Sequence, residues 1–394
     1  MPESHAVPIP PAPGASDAPE KRVLRVGFMP LADCASVVIA AVNGFDERFG
    51  IRIIPTRESS WAAIRDKLAS GALDAAHALY GLVYGAHLGI AGPQTGMAVL
   101  MTLNRNGQAI TLSRRLAGRG AVDGPSLARL IAVEGRRLTF AQTFPTGTHA
   151  MWLYYWLAAQ GIHPLRDVDA ITVPPPRMVE ALRDGRVDGA CVGEPWNHRA
   201  IADGVGITAI TSQEIWPDHP EKVLATTARF AREFPRTAMA LTMALLEASR
   251  WIEAAPAHRV QAVETVAGPA YVDTAVDVMG PRFLGHYQDG LGRTWDDPRH
   301  MTFFDGGNVN YPYLSDAMWF LSQLRRWGML RHGIDYAGIA QAVNRADLYA
   351  EAATRLGVAI PASPLRTSTL IDGVAWDGRD PERYARSFAI GAVG

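Results

Sequence analysis

The chain has 394 residues, with 38 Lys and Arg against 39 Asp and Glu and a formal net charge of -1. The charged residues are 20% of the total and form no block of one sign, which excludes capture of nucleic acid or an anionic membrane by bulk charge. A hydrophobic content of 48% implies a folded globular protein of two or three domains at about 150 residues each, and the longest apolar stretch, 34–42 interrupted by Ser36, is far short of the roughly 20 residues of a spanning helix.

Residues 1–21, MPESHAVPIPPAPGASDAPEK, read as a disordered Pro/Ala-rich tail. Glu3 stands where an export signal is basic, no apolar core follows, and neither a twin-arginine pair nor a lipoprotein cysteine is present, so the expected location is cytoplasmic. Two cysteines, Cys34 and Cys191, leave room for one long-range disulfide but for no disulfide framework or Cys-rich zinc site.

From there short apolar runs alternate with helical patterns, the signature of an α/β protein. Residues 23–28 read as a strand, 35–42 as a helix stopped by Asn43 and Gly44, and 51–55 as a second strand. A helix over 61–69, capped by Ser59 or Ser60, precedes strands at 72–78, 97–103 and 109–113, the last two flanking a turn at 104–107. A second run of the same kind has strands at 137–141, 170–173, 187–192 and 207–211 and helices at 149–160, 178–183 and 196–202. Beyond Lys222 the pattern is mostly helical, clearest over 236–254, where Leu241, Leu245, Ala248 and Ile252 share one face until Pro256. The expected organisation is a first lobe over 22–114, a second lobe over 115–222, and a return to the first lobe over 223–394 with a helical C-terminal extension. Such lobes place a ligand cleft between them, at the carboxyl ends of the strands.

Catalytic signatures are missing. The sequence contains no G-x-G-x-x-G after a strand, no GxxxxGK[ST], no HExxH and no G-x-S-x-G, so no enzyme activity, catalytic residue, cofactor or metal site is expected. His77 and His87, ten residues apart, read as core or surface histidines rather than ligands, and Asp184 with Asp188 as a solvated face.

The segment 144–149, FPTGTH, lies between a strand and a helix. It fits two readings. Unpaired backbone N–H groups at the helix start, with His149, would make a small anion site; alternatively Thr146 or Thr148 simply caps the helix and His149 is a surface residue.

FPTGTH with the following MWLYYWLAAQGI, the run VPPPRMVEALRDGRVDGACVGEPWN at 173–197, and LNRNGQAI at 103–110 resemble the nitrate and bicarbonate solute-binding proteins of ABC transporters. The resemblance runs from about Val23 to beyond Glu247. It implies a type II periplasmic-binding-protein-like fold, with two α/β lobes closing a central cleft on one small oxyanion and a helical C-terminal region. By matching motif it implies that Trp61 in SSWAAIRDKL closes over the anion and that Gln108 in NGQ donates its amide. It further implies that His149 bonds an oxygen, that Gly193 in VGEPWN offers backbone, and that Lys222 in DHPEKVLA supplies an ammonium, while Pro175 lines the wall. A lysine rather than an acidic residue with calcium favours nitrate or nitrite over bicarbonate. Four heavy atoms at a ceiling of about -1.5 kcal/mol each give about -6 kcal/mol, so micromolar binding near -8 kcal/mol needs direct charge pairing.

Within this resemblance the chain is most similar to the NasS-type cytoplasmic nitrate/nitrite sensors. These hold a NasT-like, ANTAR-domain RNA-binding antiterminator inactive until the anion arrives, so the expected partners are nitrate or nitrite and that antiterminator, with no direct nucleic-acid or membrane contact. The alternative is an exported nitrate-binding component of an ABC transporter whose leader is missing. A third relative of the fold, in pyrimidine-precursor biosynthesis, carries a cysteine-rich motif absent here.

Overall fold

The computed structural model describes residues 18–90 and 92–392. Ten strands build two five-stranded sheets: β1 Val23–Phe28, β2 Arg52–Arg57, β3 Ala75–Leu79, β4 Met97–Thr102, β5 Gln108–Ser113, β6 Leu138–Gln142, β7 Val168–Thr172, β8 Gly189–Gly193, β9 Gly206–Thr211 and β10 Lys222–Thr227. The first sheet runs β2-β1-β3-β10-β4 and the second β7-β6-β8-β5-β9. In each, one strand that enters on a chain crossing lies antiparallel to its neighbours: β10 against β3 and β4, and β5 against β8 and β9.

This pairing corrects the expected lobe boundary at 114. β5 hydrogen-bonds only within the second sheet, so the first crossing falls at 103–107, and the return crossing at 212–221 delivers Lys222 to the head of β10. The turn seen in the sequence at 104–107 is therefore the crossing segment itself. Polar residues there are buried and bonded across it: the Asn104 side chain accepts from Lys222 N at 3.2 Å.

Local chemistry explains most element ends. Ser60 caps the helix Trp61–Ser70 by accepting from Ala63 N, and Gly71 closes it in the left-handed region at φ 76°. Strands β3, β4 and β5 are buried on both faces, which is why they read as unbroken apolar runs. The helix Thr148–Ala159 is buried from Thr148 to Leu157, all the way round.

That helix starts where the lobes touch. A Cβ on Gly147 would lie 2.5 Å from Leu79 Cδ1, at the end of β3, and one on Gly81 would collide with the Thr146 carbonyl. Glycine at both positions lets the 144–149 segment of the second lobe rest directly on the first.

The C-terminal region does more than complete the first lobe. Its helix Leu314–Arg326 packs on both lobes: Trp319 lies 5.0 Å from Trp152 and 4.8 Å from Trp216 in the second, and Phe320 lies 5.2 Å from Tyr80 in the first. Tyr155 donates to Asp372 at 2.9 Å and Ile371 N to Ile215 O at 2.8 Å. A hairpin of His286–Gln288 and Thr294–Asp296 reaches the second lobe through Thr208 N to Asp289 O, while Arg282 pairs with Glu194 at 2.7 Å. The extension is thus a brace across the cleft.

Two further expectations need amendment. Cys34 and Cys191 are buried and unbonded, so the possible disulfide is not formed. Residues 1–17 of the expected disordered tail lie outside the described residues, but Glu20 and Lys21 are held in place: Glu20 accepts from Thr237 N at 2.8 Å and Lys21 pairs with Asp74 at 2.6 Å. Among the described residues no helix is long and apolar enough to cross a membrane.

Candidate functional site

Five chain segments deliver polar side chains to one point between the lobes. The 3-10 turn Ala32–Cys34 after β1 carries Asp33; β3 carries His77; the head of β10 carries Lys222, with Glu221 just before it; β5 opens with Gln108; and the helix Thr148–Ala159 opens with Thr148 and His149. Apart from His77, midway along β3, they lie at element ends that face the opposite lobe. Each of these residues is at most 1% exposed, so water does not screen them.

The centre is a shared ammonium. Lys222 Nζ donates to Asp33 Oδ2 at 2.7 Å and to Glu221 Oε1 at 2.8 Å. Asp33 also accepts from His77 Nε2 at 2.8 Å and from Gln108 Nε2 at 3.2 Å. Glu221 accepts from the Thr148 hydroxyl and from Trp152 Nε1 at 2.7 Å. A second chain of bonds fixes His149: Nε2 donates to Gln108 Oε1 at 2.9 Å, and Nδ1 accepts from the Thr143 hydroxyl. Trp61 covers the cluster, its ring 5.8 Å from Lys222 Nζ and 5.6 Å from the His77 ring, and its indole N–H has no partner.

Burial is the largest influence on every titratable group here, and the neighbours decide which ones it overcomes. It works against the Asp33 carboxylate, but Lys222 and His77 outweigh it and hold the group below the ordinary carboxylate range. It also opposes the Lys222 charge, which Asp33 and Glu221 restore and raise above the usual ammonium value. For Glu221 burial wins, and its titration is raised. His77 and His149 are pushed down by burial, His149 strongly, and His219 falls to about 3, so all three imidazoles are neutral near pH 7.

Trp61, Gln108, His149, Gly193 and Lys222, expected from the sequence, converge here. Gly193 pairs with Gln108 across β5 and β8, and a Cβ on it would stand 2.7 Å from Gln108 Oε1 and 3.1 Å from Leu31 Cδ2; only glycine lets the amide reach inward while the lobes touch. Pro175 starts the 3-10 turn Pro175–Arg177 after the edge strand β7 and is buried. Neither threonine caps the helix through its side chain, because Gly147 is the N-cap, the Thr148 hydroxyl goes to Glu221 and the Thr146 hydroxyl is unpartnered. His149 is fully buried, not a surface residue.

Sequence reading missed Asp33, His77, Glu221, Thr148 and Trp152. It also took Lys222 as a lone counter-charge, whereas its ammonium is shared by two carboxylates. A usable signal existed: Asp33 and His77 each interrupt apolar runs, FMPLADCASVV and AAHAL, where a polar group must find a partner.

Comparison with known proteins places the chain among binding proteins. The NMT1-like family pattern matches residues 17–267, more than half of the chain. The nitrate/nitrite binding protein NrtA of Synechococcus elongatus is 36% identical over 410 residues, spanning 99% of this chain and 91% of that protein. The bicarbonate-binding protein CmpA of the same species is 30% identical over 413 residues, with 97% and 89% covered. The crystal structure of the periplasmic nitrate-binding protein NrtA from Synechocystis PCC 6803 superposes with a TM-score of 0.90 at 34% identity, covering 95% of this chain and all of that one. Two lobes around a cleft are thus the fold of this chain, as of the periplasmic nitrate-binding protein on which it superposes.

Removing the ammonium strands two buried carboxylates. Lys222→Ala is expected to lower the unfolding free energy by about 3–5 kcal/mol at pH 7. In the parent, Asp33 contributes stability above its unfolded value near 3.9 that is lost only as pH falls through its depressed folded value, and Lys222 contributes below about 10.4 and is lost only above that. Neither changes between pH 5 and 8. In the variant both carboxylates titrate upward, so its deficit, read by urea unfolding, should shrink from pH 8 to pH 5; a deficit constant across that window contradicts the assignment.

Proposed function

The chain belongs to the NMT1-like family, and we propose that it binds nitrate or nitrite in the interlobe cleft. The observation that carries this reading is the dry cluster around Lys222, whose spare capacity consists of donors. The ammonium has three N–H groups and gives two to Asp33 and Glu221; the Gln108 amide has two and gives one to Asp33; the Trp61 indole N–H has no partner. Each carboxylate already accepts three hydrogen bonds. Nitrate offers three acceptor oxygens and no donor, which suits a donor-rich site whose acceptors are mostly taken. Bicarbonate brings an O–H that needs an acceptor. The nitrate/nitrite binding relatives at 35–36% identity support the same choice.

Two uses of such binding are open to a two-lobed protein. The one we assign is sensing: a NasS-type cytoplasmic protein that releases an ANTAR-domain antiterminator of nitrate assimilation genes when the anion is bound. Its support is the sequence resemblance, together with site residues drawn from both lobes, since a ligand shifts a conformational equilibrium only through contacts that differ between states. The second reading, delivery to an ABC transporter, is favoured by the likeness to periplasmic NrtA.

Calorimetric titration with nitrate, nitrite and bicarbonate tests the binding reading. Nitrate and nitrite should bind, and Trp61→Phe, which keeps the ring and removes the N–H, should weaken nitrate by about tenfold or more, the loss of one hydrogen bond to a charged group. Preference for bicarbonate, or an unchanged Trp61→Phe, contradicts it. Fractionation of native cells and pull-down of the antiterminator separate the two uses: the sensor stays in the cytoplasm and retains the antiterminator only without nitrate. A periplasmic protein indifferent to the antiterminator is the transport component.

A further inference from the structure

The charges of the cluster do not balance once an anion is added. Lys222 is its one cation, against Asp33 and Glu221. Every hydrogen bond these carboxylates make is to a donor, and two of the donors on Glu221, the Lys222 ammonium and the Trp152 indole, have no lone pair to offer a protonated acid. As bonded, both act as carboxylates, with burial working against the Glu221 charge. A bound monoanion would raise the tally to three negative charges against one positive, in a space closed to bulk solvent. Like charges at such range force a proton onto one of the groups present.

The bonding pattern sets one acceptor of that proton apart, the one whose free nitrogen requires no existing partner to turn round. On His149 both ring nitrogens are engaged, Nε2 with Gln108 and Nδ1 with the Thr143 hydroxyl. On His219 Nδ1 lies 3.1 Å from the Pro220 carbonyl and Nε2 2.7 Å from the Ser212 hydroxyl. A proton on Glu221 Oε1 would require the Thr148 hydroxyl to turn round and accept it, and one on Oε2 would oppose the Trp152 N–H. His77 differs: Nε2 donates to Asp33 Oδ1 at 2.8 Å, while Nδ1 is fully buried and without a partner. Its ring packs 5.6 Å from Trp61, whose N–H is likewise unpartnered.

We propose that His77 is a direct ligand of the bound oxyanion in its imidazolium form, so that each monoanion enters together with one proton. The proposal rests on the reading that the cleft takes a nitrate-class anion. The proton comes from solvent and settles on Nδ1; Nδ1–H then donates to an anion oxygen beside the Trp61 N–H, while Nε2–H stays on Asp33. No covalent bond changes. The groups that bear on His77 come from each neighbouring element. Asp33, from the turn Ala32–Cys34, favours the cation; Lys222 at the head of β10 opposes it; Glu221 and the neutral His149 and His219 stand behind Lys222. The helix Trp61–Ser70 presents the uncharged Trp61 ring. Without the anion, burial holds His77 neutral against the pull of Asp33, so the added negative charge is what tips the balance.

The test uses the full chain and nitrate, which does not titrate near neutrality. Calorimetry at pH 7.5 in phosphate and in Tris, buffers of different ionisation enthalpy, should give an enthalpy difference equal to one proton taken up per nitrate. The affinity should fall about tenfold per pH unit between pH 7 and 9, because the proton is held by the complex and not by the free protein. His77→Gln should bind more weakly at pH 7 with affinity and enthalpy independent of pH and buffer. As a check that does not depend on the variant folding, the His77 ring nitrogens in the 15N spectrum of the parent should move to imidazolium positions on addition of nitrate. Binding with a buffer-independent enthalpy, or proton uptake that survives in His77→Gln, overturns the proposal while leaving nitrate binding intact. Absence of nitrate binding in every buffer overturns the functional reading beneath it as well.

Discussion

A buried ammonium shared by two carboxylates is the constraint from which the rest of this molecule follows. An isolated charge cannot be held in a dry interior, so Lys222 requires Asp33 and Glu221 at hydrogen-bond distance, and each of these in turn needs donors for its remaining lone pairs. Those donors come from the opposite lobe: Gln108 from β5, Thr148 and Trp152 from the helix Thr148–Ala159. Meeting on this face is what gives the two carboxylates their remaining neutral donors. Replacing such a network with apolar side chains often costs nothing in stability, so its value lies in specifying geometry.

Trp152 ties that polar seam to the C-terminal third. Its indole N–H bonds Glu221 at 2.7 Å, while its ring packs against Trp216, Trp319 and His219. Trp319 belongs to a helix that also presses Phe320 on Tyr80 of the first lobe. A change in the charge cluster therefore meets an aromatic brace spanning both lobes, and any relative movement of the lobes must repack it. Trp152, Trp216 and Trp319 are the material of that brace.

The sequence made the scaffold readable because strands buried on both faces leave unbroken apolar runs and because Ser60, Gly71 and Gly161 mark helix ends by simple chemistry. It misplaced the first crossing, since periodicity locates β5 but cannot say which sheet it joins. Of the site, Trp61, Gln108, His149, Gly193 and Lys222 were found through long motifs, whereas Asp33 and His77 stand in short apolar contexts and Glu221 adjoins Lys222 in DHPEKVLA. Their meaning appears only when residues far apart in the chain come within 3 Å.

The claim on which everything turns is that a small oxyanion joins the Lys222 cluster between the lobes. A crystal structure grown with nitrate at high resolution examines it most directly. The account predicts a planar anion within hydrogen-bond distance of Lys222 Nζ and Trp61 Nε1, enclosed by groups from both lobes. An anion bound elsewhere, with Lys222 still engaged only by Asp33 and Glu221, would contradict it.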